Sequence, residues 1–399
     1  MDPPVPKSPR AFLARDLVHI GKEQQEPGFK FTIMTYNVLA QSLVRRTQFP
    51  TSGSILRWNA RFKALTKEIL HYNPTVLCLQ EVDKSNMVQW VPFLEKMGYN
   101  YQLHNVDTKR HGLVLAYERL ILEHVQCLTG DYNSTVVPGV PNQIHFNEFL
   151  VAAFRFNSDL CEKSPYLRSR GLIVGTTHLY WHPEGCYERA RQGYILMKEV
   201  ASFGKKLTEK ESPGFKYHSF MAGDFNSEPH DAPYLLLTTK GLADNGRVKE
   251  KLNTSFILNT GLSKMTSQSL EMESSSEAVS SLIAKHLDLP YRAVSLYSLG
   301  YYLVQGNPFS PCNEPEFTNW RESFRATLDY IFLITDCKDR PSFLHVDSPE
   351  ILQRDTSLKL SGLLRLPTTE EMAVEGLPRS GWSPSDHFCI MAEIEIQSL

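Results

Sequence analysis

YHSFMAGDFNSEP, spanning Tyr217–Pro229, decides how this chain folds. An apolar-rich run of strand length stops at Gly223 and gives way to Asp224 and Asn226. Such a run reads as a buried strand. It ends by placing a carboxylate and an amide two residues apart, on the same side. Glycine at the hinge permits a tight exit. The carboxylate is able to bind a cation or orient water, and the amide to donate to a phosphate oxygen. Taken alone, the same letters describe an Asx turn that caps a strand.

Five further signatures remove that ambiguity: TYN (35–37), LQEVD (79–83), TTHLYWHP (176–183), TLDYIF (327–332) and SDH (385–387). They place Asn37, Glu81, His178, Asp329 and His387 beside apolar runs, as the first signature places Asp224 and Asn226. A phosphodiester is shielded by its own negative charge, so a catalyst must neutralise that charge, activate water and stabilise the departing oxyanion. Glu81, Asp224 and Asn226 supply the oxygen ligands that Mg²⁺ prefers. Asp329 behind His387 would fix an imidazole tautomer for acid/base work or phosphate contact. His178 is placed to donate to a non-bridging oxygen, and Asn37 to support the metal-binding carboxylate or the phosphate. Clustered Cys/His ligands that would favour zinc are missing from the pattern.

Working outward, FKFTIMTYN alternates with Phe29, Phe31 and Ile33 on one face, predicting a strand that delivers Asn37 to a rim. Trp58, Phe62, Leu65, Ile69 and Tyr72 recur at helical spacing before Pro74, and that aromatic stripe is core. TVLCLQE reads as a strand buried on both faces. GLIVGTTH and TLDYIFLI repeat the pattern, HFCIMAEIEI carries its polar group first, and ERARQGYILMKEVASF is helical. The class is α/β, with two stacked sheets flanked by helices.

The signatures run across nearly all 399 residues, so one catalytic domain is expected over 28–399. Residues 1–27 are read as a flexible arm. The Ser/Glu-rich stretch near 261–284 is read as a solvated, mobile insertion. A net charge of -2 argues against coating nucleic acid through bulk positive charge, while leaving a local basic path through Lys109, Arg110 and Arg189 open. Seven scattered cysteines without CxxC spacing fit reduced thiols. No stretch has membrane-spanning length, and MDPPVPKSPRAF lacks the apolar core of a signal peptide. The expectation is an intracellular protein, cytoplasmic and/or nuclear, with no membrane association.

The ordered set TYN, QEVD, TTH, GDFN, LDYIF, SDH resembles the endonuclease/exonuclease/phosphatase superfamily. That resemblance implies a DNase I-like four-layer sandwich of two mixed sheets and Mg²⁺-dependent phosphoester cleavage, with Mn²⁺ able to substitute. TYNVLAQ, THLYWHP and EPEFTNWRESFRATLDYIF are similar to the branch holding the CCR4-type deadenylases, nocturnin and the Angel proteins; HLYWHPEGCYERARQ and KRHGLVLAY look most like the yeast Ngl RNA exonucleases. By resemblance Glu81 is the principal metal ligand with Asn37, and Asp386 serves a second metal position. Asp224 activates water, His178 and Asn226 hold the phosphate, and Asp329 orients His387. Pro183 and Phe324 match positions that pack around a substrate base.

The implied activity is a 3′→5′ exoribonuclease that acts on poly(A) tails or precursor 3′ ends and releases nucleoside 5′-monophosphates. The implied partner is a single-stranded RNA 3′ end. The branch also contains an NADP(H) 2′-phosphatase and an RNA 2′,3′-cyclic phosphatase, which are the alternatives. His111-Gly112-Leu113 stands where many deadenylases carry DGC, which loosens the expectation of poly(A) specificity. No leucine-rich repeat precedes Phe29, so docking through one is not expected. Oligomeric state stays open.

Overall fold

A computed structural model describes residues 11–21, 28–142, 145–239, 246–260, 268–304, 312–337 and 348–398. In chain order the strands are β1 (Leu17–His19), β2 (Phe29–Asn37), β3 (Val76–Asp83), β4 (Tyr99–His104), β5 (His111–Glu118), β6 (Leu122–Asp131), β7 (Glu148–Phe156), β8 (Arg170–His178), β9 (Lys216–Asp224), β10 (Tyr291–Ser295), β11 (Asn319–Trp320), β12 (Arg325–Ala326), β13 (Asp329–Asp336), β14 (Leu358–Leu364) and β15 (Ile390–Ile396). One sheet runs β1-β14-β15-β2-β3-β5-β4 and the other β10-β13-β9-β8-β7-β6, while β11 and β12 form a separate ribbon. Among the pairs, β2/β3 and β8/β9 are parallel and the rest antiparallel.

Side-chain alternation builds the layers. Phe31, Ile33, Val76, Cys78 and Leu115 from the first sheet meet Leu150, Leu172, Val174, Phe220 and Ile331 from the second in an inter-sheet core. The opposite face of the first sheet offers Met34, Leu77 and Leu79 to Leu65 and Ile69 of the helix Trp58–Tyr72 and to Trp90 and Leu94 of the helix Met87–Lys96. Val151, Ile173, Met221 and Phe332 line the outer face of the second sheet against the helix Cys186–Thr208. Helices, sheet, sheet, helices: these four layers are the DNase I-like sandwich that the signatures implied.

The predicted strands and both predicted helices are present, with β15 starting at Ile390 rather than at His387. Two expectations need correction. Part of the predicted flexible arm is built into the sheet, because β1 pairs with β14 as the edge strand and Arg15 is buried. Residues 1–10 and 22–27 lie outside the described residues. The Ser/Glu-rich insertion continues into a helix, Gln268–Leu287, whose Ala278, Val279, Leu282 and Ile283 are buried at helical spacing. Residues 261–267 lie outside the described residues.

Strand direction explains why distant signatures meet. Asn37, Glu81, His178 and Asp224 stand at or near the C-terminal ends of the two parallel pairs. Antiparallel β13 starts where β9 ends, with Asp329 opposite Asp224. Antiparallel β15 likewise starts beside the end of β2, just after His387. All these ends share one rim.

Candidate active site

Glu81 owes its position to a bulge. The β3/β5 register passes from Leu79↔Val114 to Val82↔Gly112, so β3 carries one extra residue. By alternation Leu77 and Leu79 face the helices, and Glu81 would follow them; the bulge redirects it. Its φ of 61° is left-handed, a conformation that costs on the order of 1–3 kcal/mol for a residue with a Cβ. Behind the bulge, the buried Gln80 amide donates to Thr35 Oγ1 at 3.0 Å and to Thr176 Oγ1 at 3.1 Å, clipping the two sheets together.

Gly223 has a steric reason. A Cβ there would sit 2.2 Å from the Thr177 carbonyl oxygen, so only glycine lets β8 and β9 approach where His178 and Asp224 are delivered.

At the centre, Asn37 Nδ2 donates to Glu81 Oε1 at 3.1 Å and to Asp224 Oδ2 at 2.9 Å. Its Oδ1 accepts the Leu39 N–H at 3.0 Å. In this orientation Asn37 holds two carboxylates through its nitrogen and turns its oxygen to the Leu39 N–H. Ala40 N–H donates to Glu81 Oε2 at 2.8 Å. Burial raises the Glu81 pKa, but His178, His111, Ala40 and Asn37 outweigh it and hold the group at about 2. Glu81 is therefore ionised across the working range, as a ligand to a hard cation must be.

His178 lies 3.8 Å from Glu81 and 3.5 Å from Asp224, and burial brings its pKa down to about 4. Asp224 is pushed up to about 7, by burial first and by the charge of Asp329 second. The backbone N–H of Asn226, at φ 49°, donates to Asp224 Oδ1 at 2.9 Å, so the segment also closes an Asx turn. Asn226 Nδ2 spends one bond on the Leu179 carbonyl at 2.9 Å, and its second N–H remains for a ligand.

His387 Nδ1 stands 2.7 Å from Asp329 Oδ2, and its Nε2 lies 3.7 Å from Asp224. Burial would lower the imidazole pKa, but Asp329 and Asp224 raise it to about 10. His387 therefore carries a proton. Thr318 Oγ1 donates to the same Asp329 oxygen at 2.6 Å, while Asp329 Oδ1 is buried with no partner among the described residues. Asp224, Asp329 and His387 together have the spacing of a metal cluster, with one ligand atom of each within 4.8 Å of the others. The short Nδ1–Oδ2 bond instead marks Asp329 and His387 as a hydrogen-bonded dyad.

Asp386 is buried beside Arg321. Its Oδ2 lies 3.3 Å from Arg321 Nε, and Ser385 Oγ lies 3.4 Å from its Oδ1. Pro183 and Phe324 are exposed, Phe324 at the turn of the β11/β12 ribbon. Arg189 is not free to contact phosphate: it is buried and donates to the carbonyls of Tyr180, His182 and Pro183.

Two buried arginines were invisible in the sequence, where charge reads as surface. Arg61 Nε donates to the Pro384 carbonyl at 2.8 Å, and its guanidinium also bonds the carbonyls of Val38 and Leu39, tying the SDH loop to the TYN loop. Arg15 donates to the Cys389 carbonyl at 2.9 Å and lies 3.5 Å from Glu68. Glu68 accepts the Tyr36 hydroxyl at 2.9 Å, Tyr36 reaches Ser383 Oγ at 3.3 Å, and Ser383 donates to the His387 carbonyl at 3.0 Å. Ser385 Oγ donates to the Asn37 carbonyl at 2.7 Å. The TYN and SDH loops thus rest on a buried polar relay.

Among the described residues no helix is long and apolar enough to cross a membrane, and all seven cysteines are free.

The Endonuclease/Exonuclease/phosphatase family matches residues 34–387. The chain is 33% identical over 424 residues to RNA exonuclease NGL2 of Saccharomyces cerevisiae, covering 97% of this chain and 82% of that protein. It is 32% identical over 433 residues to Probable RNA exonuclease C9B6.11c of Schizosaccharomyces pombe, covering 96% and 80%. Among solved structures, ANGEL2, a 2′,3′-cyclic phosphatase in complex with adenosine-2′,3′-vanadate, matches with a TM-score of 0.63 at 20% identity, covering 97% of this chain and 99% of that one. The human Nocturnin catalytic domain matches at 0.55 and 18%, covering 96% and 98%. At those identities the structural likeness is one of fold.

Proposed function

This chain belongs to the endonuclease/exonuclease/phosphatase family, a family of phosphoester hydrolases, and on that premise we propose that it is a divalent-metal-dependent 3′→5′ exoribonuclease releasing nucleoside 5′-monophosphates. The observation that carries the reading is the rim itself: ionised Glu81, Asp224 near neutrality, and the protonated His387 held by Asp329 surround one space.

Glu81 fits a hard cation, because its carboxylate is ionised and its neighbours offer oxygen rather than sulfur. Mg²⁺ is the ion of choice, with Mn²⁺ as substitute. Asn37 would join it as a ligand only after its amide turns, and otherwise orients Glu81. Asp386 would serve a second ion only after Arg321 releases it. When bound, the ion neutralises phosphate charge and makes water more acidic.

The chain's own residues do the rest. Asp224 takes the proton of the attacking water. His387 and His178 face the phosphoryl oxygens, with Asn226 donating its free N–H as negative charge grows. Pro183 and Phe324 flank the terminal base. The 3′ oxygen of the upstream nucleotide departs, and the 5′-phosphate stays with the released nucleotide. The substrates we assign are poly(A) tails or RNA precursor 3′ ends, inside the cell, which would make the chain a participant in RNA processing or mRNA decay. Chromatography of the products tests this: nucleoside 5′-monophosphates are expected, and nucleoside 3′-monophosphates would refute the direction of cleavage.

A nucleotide phosphatase is the alternative reading. Exposed Pro183 and Phe324 would clamp the adenine of NADP(H) as well as an RNA base, and the same rim would accept an RNA 2′,3′-cyclic phosphate, by analogy with ANGEL2, a 2′,3′-cyclic phosphatase held with adenosine-2′,3′-vanadate.

A further inference from the structure

Trp181 is 68% exposed on a loop hydrogen-bonded at its base and its crest. That loop leaves β8 directly after His178, and its base is pinned at the site: Leu179 N–H donates to the Asp224 carbonyl at 2.9 Å, and Asn226 Nδ2 to the Leu179 carbonyl at 2.9 Å. Its crest is pinned as well. Buried Arg189 bonds the carbonyls of Tyr180 and Pro183, each at 3.2 Å, and that of His182, while Tyr180 N–H reaches Gln192 Oε1 at 3.0 Å.

The flanking rings pack with each other. Tyr180 stacks on His145 at 3.6 Å and 16°, and lies parallel to His182 at 6.1 Å and 15°. Trp181 meets both Tyr180, at 6.4 Å and 61°, and His182, at 5.3 Å and 62°, in steep contacts. Neither ring stacks on the indole, and the residue keeps 68% of its surface in solvent. A single exposed apolar residue is ordinary; one fixed on a clamped loop, three residues and thus at most about 10 Å of chain from His178, is a built surface.

The charge balance says what that surface takes. With a net charge of -2, the chain lacks the bulk positive field that would hold a polyanion. Pro183, at the far end of the loop, also walls a cleft of about 400 Å³ in which Arg247 and Lys251 are balanced by Glu184 and Glu250. Single strands are otherwise held by base stacking, which needs only an exposed ring face. We propose that Trp181 is a stacking platform for a base of single-stranded RNA upstream of the cleaved bond. This rests on the exoribonuclease reading and adds a subsite to it.

Two readouts test the platform. Affinity for a single-stranded RNA dodecamer is measured by fluorescence anisotropy with Glu81→Gln and with Glu81→Gln/Trp181→Ala, so that no turnover intervenes. In parallel, kcat/KM of wild type, Trp181→Ala and Trp181→Phe is measured on the dodecamer and on the methyl ester of AMP, which has no upstream base. The expected result is a loss of about tenfold in dodecamer affinity, an Ala loss in kcat/KM about tenfold larger on the dodecamer than on the ester, and partial rescue by Phe. Equal losses on both substrates, or unchanged affinity, overturn the proposal. RNA bound in a Trp181-dependent way but never cleaved would refute the exonuclease reading alone, and RNA neither bound nor cleaved would refute both.

Discussion

Asp329 Oδ2 and His387 Nδ1, 58 residues apart in the chain, meet at 2.7 Å on the active rim. The pair holds a proton on His387, whose pKa rises to about 10 beside Asp329 and Asp224. Asp329→Asn keeps the shape but removes the charge that keeps the imidazole protonated. We expect kcat to fall by about 100-fold or more with KM little changed, as steady-state kinetics would record. Unchanged kcat would remove the dyad from the mechanism.

Glu81→Gln keeps volume and loses the ionised oxygen. Calorimetric titration with Mg²⁺ should show binding to the parent and at least tenfold weaker binding to the variant, while circular dichroism stays the same. Equal affinity would move the ion elsewhere, the Asp224/Asp329 carboxylates being the next place to look.

The Arg15–Glu68 ion pair is buried on both sides, so breaking it should be costly. Arg15→Met leaves Glu68 without its cation and is expected to lower unfolding stability by about 3–5 kcal/mol in urea titration. Adding Glu68→Leu should recover part of that loss. If the double variant is no more stable than the single, the pair is not what anchors the N-terminal segment.

Glu314 supplies a pH test away from the site. It is buried and accepts the Tyr234 hydroxyl at 2.8 Å, and burial pushes its pKa from 4.5 to about 7. The folded state therefore binds the proton more tightly than the unfolded state. Between about pH 4.5 and 7 the folded chain holds more protons, so this group's contribution to stability falls as pH rises. Glu314→Gln should lose about 3 kcal/mol less than wild type between pH 4.5 and 8, as compared by urea midpoints. Parallel pH profiles would contradict the assignment.

Legibility varied with the physics of each element. FKFTIMTYN and TVLCLQE announced β2 and β3 because a half-buried strand alternates and a fully buried one does not. The placement of the candidate residues on one rim could be read because polar groups interrupt apolar runs at strand ends. The bulge at Glu81 could not be read, since no Gly or Asn marks its positive φ. β1 was missed because Leu17–His19 is too short to show a period, and Arg15 and Arg61 because charged residues are exposed by default. The helix Gln268–Leu287 was hidden by its Ser/Glu-rich first half, with the apolar spacing confined to Ala278–Ile283.

The most direct test incubates the protein and its Glu81→Gln control with Mg²⁺ and 5′-labelled RNAs ending in A20 or in mixed sequence, with phosphate release from NADPH followed in parallel. A ladder shortening from the 3′ end is expected with wild type and none with the control; a ladder only on A20 marks a deadenylase, and equal ladders a general trimming exonuclease. Intact RNA with phosphate released from NADPH would contradict that expectation and assign the rim to a nucleotide phosphatase.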